Sequence, residues 1–116
     1  VFDYPLFSTR TNLTSEAIDI LGDVAAQIKG SLAEYKLVIE GHSDTMKTGS
    51  ATTAKDNYTL GLARANKIMN ILKTRYDLPP GSMVATSTGE KDPPFPNTDD
   101  NMRKKNRTVV LKLMPK

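Results

Sequence analysis

The chain contains no cysteine, so neither a disulfide framework nor thiolate chemistry can be built from it. His42 is its single histidine, and a transition-metal site would therefore have to lean on carboxylates. No apolar run approaches the roughly 20 residues of a membrane-spanning helix, and the opening VFDYPLF lacks the form of a signal peptide. A P-loop is missing too, because no Gly-Lys-Ser/Thr follows a glycine-rich turn. Net charge is small. Sixteen Lys and Arg against thirteen Asp and Glu leave +3, too little to argue for a nucleic-acid partner without a clustered patch.

What is present is the composition of an ordinary globular chain, 38% hydrophobic and 25% charged. Its 116 residues give room for a single domain, 1–116, with one modest core. VFDYPLF suits a short edge strand, since Pro5 has no ladder donor. After the loop STRTN, Thr14 reads as a helix N-cap. Ile18, Leu21, Val24, Ala25 and Ile28 then recur at helical spacing, and Gly30 is placed to end that helix as its C′ residue. YKLVIEG (35–41) suits a buried strand.

Residues 42–57 are polar and read as a long loop, followed by a helix from about Thr59 to Tyr76 that LPPGS (78–82) stops. MVATSTG (83–89) is strand-like, and EKDPPFPNTDD (90–100) is an extended loop. NMRKKNR (101–107) forms a basic turn or short helix, and TVVLKL (108–113) alternates as a half-buried strand. The order β-α-β-α-β-(α)-β predicts a two-layer α/β (α+β) sandwich.

One residue resists that scheme. On a helix, Leu60, Ile68, Ile71 and Leu72 form an apolar arc, and Arg64 falls inside it, about 40° from Leu60. With a helix start near Thr59, Arg64 also stands close to the end whose dipole repels cations. The position predicts a guanidinium held toward a pocket. A guanidinium grips a carboxylate with two parallel bonds, which an ammonium cannot imitate. The competing reading is a structural ion pair with Asp44 or Glu40.

Enzyme readings find little support. GHSDT (41–45) begins like a nucleophile elbow, but Thr45 occupies the place of the second glycine. His42 and Ser43, adjacent on an extended backbone, point to opposite faces. Glu40, His42 and Asp44 alternate and can share one face, yet a metal there is disfavoured by the lack of further nitrogen or sulfur ligands. His42 is expected instead at a loop mouth, bonded to backbone or to a neighbouring carboxylate. The run Arg103, Lys104, Lys105, Arg107 has no interleaved aromatics and reads, for its lysines, as a solvated face.

Four blocks in order carry a family signal. GHSD (41–44) closes a strand; N-x-x-L-x-x-x-R-A is present as Asn57, Leu60, Arg64 and Ala65. G-E-x-x-P follows as Gly89, Glu90 and Pro93, then Asn97, and R-x-x-N-R as Arg103, Asn106 and Arg107. Over about residues 37–113 the chain resembles the OmpA-like peptidoglycan-binding domain of porin-type proteins, peptidoglycan-associated lipoproteins and the flagellar stator protein MotB. LFSTRTNLTSEAIDIL looks like the family's first strand-to-helix segment.

The resemblance implies a mixed sheet with helices on one face, and noncatalytic anchoring to the cell wall without a cofactor or nucleic acid. The implied ligand is the stem peptide of peptidoglycan, chiefly the zwitterionic end of meso-diaminopimelate. Asp44 would take its ammonium and Arg64 its carboxylate, with Arg107 and Asn57 near the same pocket. His42, Ser43, Leu60 and Arg103, from the same motifs, complete the candidate binding set. It also implies a periplasmic location, a membrane-attached parent protein, and dimerisation in the stator type. The rival is a cell-wall amidase or hydrolase using Asp44 and His42 as acid–base groups.

The sequence departs from the family pattern in places. Gly61 stands where serine is usual, removing a cap or ligand hydroxyl. Ser43 replaces a threonine, Met102 a glycine, and Thr108 an arginine. Twelve residues separate Asp44 from Asn57, a spacing nearer the stator type than the lipoprotein type.

Overall fold

The structure, a computed structural model, describes residues 6–9, 12–42, 54–89 and 108–115, with 8–9, 54–57 and 89 by their backbone alone. The first elements form a small hairpin, β1 (Phe7–Thr9) with β2 (Asn12–Leu13), paired antiparallel. Of the strand expected over VFDYPLF, only Leu6 and Phe7 are described; both are fully buried. Thr14 is the N-cap of α1 (Ser15–Ile28), extended at φ −73° and ψ 157°, its hydroxyl accepting from the Ala17 N–H at 3.3 Å. Such a cap satisfies one of the amides that a helix start leaves open.

The buried line of α1 is Ala17, Leu21 and Ala25, with Ile18, Val24 and Ile28 half-buried beside it. Gly30 does not act as the expected left-handed stop. The chain tightens instead into a 3-10 turn, Lys29–Ala33, which carries Leu32 into the core. Reversing at Gly30 would have forfeited that burial.

β3 (Tyr35–His42) is the central strand of a mixed sheet ordered β4-β3-β5. β4 (Met83–Gly89) runs parallel to it and β5 (Val109–Pro115) antiparallel. Parallel neighbours need a crossover, supplied by α2 (Ala54–Arg75). Register places Leu37, Ile39 and Gly41 level with Met83, Ala85 and Ser87 on the side facing the helices. Val38 and Glu40, level with Val84 and Thr86, take the other face. The core lies between helices and sheet, from Leu21 and Leu32 through Leu37 and Ile39 to Ile68 and Leu72.

Several boundaries differ from the sequence reading. The helix begins at Ala54, not Thr59, so the expected 42–57 loop is shorter. Ala and Lys at its start are good helix formers, and the Ser87 hydroxyl ties the Tyr58 carbonyl to β4 at 2.7 Å. At the other end, reversal comes at Asp77, left-handed at φ 59°, ahead of the prolines. The Leu78 N–H then reaches back to the Leu72 carbonyl at 3.0 Å, and both leucines are buried. β5 does not alternate as expected. Val109 and Val110 are both buried, while Leu113 is 41% exposed on the helix side. The cause is that α2 packs chiefly over β3 and β4, leaving the far end of β5 at the margin. The 90–107 segment, with its predicted loop and basic helix, lies outside the described residues.

One contact sets how closely α2 meets the sheet. A Cβ on Gly41 would run into the Gly61 carbonyl oxygen, and one on Gly61 into Ser87 Oγ and, at 2.9 Å, the Gly41 carbonyl oxygen. Two glycines therefore let backbone touch backbone where β3 ends. Gly61 lies well inside α2, so the expectation that it costs a helix cap is corrected: a side chain there would crowd the Ser87 hydroxyl and the Gly41 carbonyl.

Candidate functional site

Arg64 projects from α2 beneath the last residue of β3 and is 3% exposed. Ala65, Ile68 and Leu72, its neighbours on the apolar arc, are fully buried, while Leu60 and Ile71 are half-buried. Because α2 starts at Ala54, Arg64 stands about three turns in. The dipole argument is thereby corrected, since that field fades within the first turn. The residue is buried at the edge of the core.

A buried charge is tolerated only when polar or π partners replace water. Arg64 Nη1 donates to the His42 carbonyl oxygen at 2.9 Å. Its guanidinium carbon also lies 5.3 Å from the centre of the Phe7 ring, within cation–π range. Phe7 has no sequence signal for this role, because it belongs to a hairpin far from α2 in the chain.

His42 is 1% exposed and bonded at both ends of its ring. Nε2 lies 2.8 Å from Glu40 Oε1 and Nδ1 lies 2.9 Å from Thr88 Oγ1. Its backbone N–H donates to the Thr108 carbonyl at 3.0 Å. Register shifts between Gly41 and His42, so that Gly41 faces Ser87 but His42 faces Gly89. This bulge leaves Thr88 as the extra residue on β4 and brings its hydroxyl to the ring. The expected bond to a neighbouring carboxylate is present, although His42 closes a strand and is buried rather than sitting at a loop mouth.

Glu40 Oε2 meets Lys112 Nζ at 2.9 Å across the β3–β5 pair. Burial pushes the Glu40 carboxyl up, but its bond to Lys112 and the charges of His42 and Lys112 outweigh that and hold it below its ordinary value. An ionised carboxylate only accepts, so Nε2 carries a proton toward Glu40; Nδ1 accepts from the Thr88 hydroxyl when the ring is neutral and donates to it when the ring is charged. Glu40 is thus engaged by Lys112 and His42 rather than pairing with Arg64.

Of the predicted site residues, the structure brings His42 and Arg64 together and places Leu60 about one turn before Arg64 on α2. Asn57 is described by its backbone, in the opening turn of α2. Ser43, Asp44, Arg103 and Arg107 lie outside the described residues. Among the described residues no three His, Asp or Glu side chains gather as metal ligands, and no helix is long and apolar enough to cross a membrane. Sequence reasoning missed Thr88, Phe7 and Lys112. Only Lys112 had a signal, its place in the alternation of β5.

A model of the OmpA family matches residues 8–107. Among solved structures, the C-terminal domain of Helicobacter pylori MotB superposes with a TM-score of 0.81 at 22% identity, over 100% of this chain and 88% of that one. The peptidoglycan-associated lipoprotein of Burkholderia pseudomallei gives 0.75 at 22%, over 96% and 87%. A putative MotB like protein from Desulfovibrio vulgaris gives 0.70 at 28%, over 96% and 68%. No curated protein matches the sequence.

Proposed function

The chain belongs to the OmpA family, and we propose that it is a noncatalytic module that holds its parent protein to peptidoglycan. The observation that carries the reading is Arg64, a buried arginine bonded to the last peptide of β3. Chain connectivity keeps Asp44 within about 8 Å of His42, so an acceptor follows closely on the strand that Arg64 already grips. A guanidinium has five N–H donors, which makes a bond to the His42 carbonyl compatible with a grip on a carboxylate. An ammonium and a carboxylate on one carbon, as at the end of meso-diaminopimelate, suit an Asp and an Arg so placed. Asn57, Arg107 and the remaining motif residues Ser43, Leu60 and Arg103 would line the same site.

The likeness to a lipoprotein named for peptidoglycan association and to MotB domains supports a periplasmic, cell-wall-associated location. A membrane-attached parent and a homodimer belong to the same proposal, and a stator-type parent is its narrower form.

The test is sedimentation with purified peptidoglycan. Wild-type protein is expected to co-sediment, and Asp44→Ala or Arg64→Ala to stay in solution while remaining folded. Free diaminopimelate is expected to compete and lysine, with no second carboxylate, to compete poorly. Undiminished sedimentation of both variants would sink the site. Soluble muropeptides released during incubation would favour the hydrolase.

A further inference from the structure

The bonds around His42 are arranged so that the two ring nitrogens and both peptide groups are engaged by different elements. Glu40 of β3 takes Nε2, Thr88 of β4 takes Nδ1, Thr108 takes the backbone N–H, and Arg64 of α2 donates to the carbonyl. An imidazole held at both nitrogens has its tautomer and its ring angle set together. The bulge between Gly41 and His42 is what brings Thr88 rather than Gly89 to the ring. Lys112 in turn fixes the second Glu40 oxygen at 2.9 Å.

We propose that Glu40 and Thr88 are positioning residues for the Arg64 anchor, acting through His42. Neither is assigned contact with ligand. Their bonds hold the end of β3 in the geometry in which the His42 carbonyl aims the guanidinium. Supporting partners of this kind decide whether a binding side chain is held in its productive position. This inference rests on the reading of Arg64 as the carboxylate-binding residue.

The experiment compares Arg64→Ala, Thr88→Val, Thr88→Ser and Glu40→Ala in calorimetric binding to a soluble diaminopimelate-containing stem peptide, with the melting temperature of each. Thr88→Val keeps the side-chain shape and removes the hydroxyl, and is expected to raise Kd about fivefold, the worth of one hydrogen bond. Thr88→Ser is expected to restore binding, and Glu40→Ala to weaken it at least as much as Thr88→Val. The Arg64 N–H signals in nitrogen-15 NMR are expected to broaden in Thr88→Val and to sharpen again in Thr88→Ser, a change that lost stability alone would not produce. If Arg64→Ala binds normally, the underlying site reading fails and the inference falls with it. If Arg64→Ala loses binding while Thr88→Val and Glu40→Ala keep wild-type affinity, the site stands and the positioning role is overturned. A Thr88→Val defect that Thr88→Ser does not restore overturns it as well.

Discussion

The Nη1 of Arg64 donates to the carbonyl oxygen of His42 at 2.9 Å, so a side chain of α2 and the last peptide of β3 form one unit. The strand end that leads to Asp44 and the helix that carries Arg64 are consequently held in one geometry. Because Arg64 is 3% exposed, the bond is made away from competing water and counts for more than it would at the surface.

Arg64→Lys should therefore behave as a loss, although it keeps the charge. An ammonium lacks the planar fork that can bond a carbonyl and a carboxylate together. Binding to peptidoglycan should fall at least tenfold, and stability by about 1–3 kcal/mol from imperfect burial of the new group. Denaturant unfolding beside a binding isotherm measures both; unchanged affinity would contradict the role given to Arg64.

Gly41→Ala should destabilise more than Gly61→Ala. The added methyl on Gly41 meets a helix carbonyl oxygen, which can yield only if α2 shifts, whereas at Gly61 part of the obstruction is the Ser87 hydroxyl. Overpacking of this kind typically costs about 1–3 kcal/mol, and Gly41→Ala should lie at or above the upper end. Thermal melts of the two variants decide the order.

Glu40 predicts an acid-side effect. Its folded pKa lies below the ordinary value of 4.5, so its contribution is fully present above that value and is lost as pH falls through the depressed one. Glu40→Gln should lower stability modestly near neutrality and flatten the acid limb, the difference from the wild type shrinking as pH falls through the depressed pKa. The half-exposed Lys112 keeps that ion pair modest. A stability difference between the two proteins that stays constant from neutrality to well below pH 4.5 would refute the linkage.

Asp77→Gly should stabilise slightly. The residue holds a left-handed φ of 59°, a conformation that glycine adopts without the Cβ penalty. The gain is offset by the greater freedom of glycine in the unfolded chain, leaving about 0.5 kcal/mol, readable as a small rise in melting temperature. Asp77→Val should do the reverse, because a β-branched side chain is poorly tolerated at positive φ.

Much of the frame was legible in residues close along the chain. The Thr14 cap, the α1 periodicity and the span of β4 follow from local propensity and spacing, and β4 occupies the predicted 83–89. Arg64 could be picked out because a charge inside an apolar arc is visible at helical period. The start of α2 was not legible, since polar residues 54–58 carry no apolar stripe and their helix is secured partly by Ser87 from another strand. Gly30 misled for a related reason: a glycine after a helix suggests a stop, but burial of Leu32 draws the chain onward into a 3-10 turn.

By itself, then, the sequence determined the course of α1, β3 and β4, that Arg64 faces inward, and the family to which the motifs point. Those features depend on neighbours within a few residues. Only the tertiary structure decided what Arg64 meets there, namely the His42 carbonyl and the Phe7 ring. It alone decided that Gly61 serves the approach to Gly41 and that a bulge delivers Thr88 to the His42 ring. These contacts join residues far apart in the chain, and they exist because sheet register and helix packing bring the elements together, which no local pattern encodes.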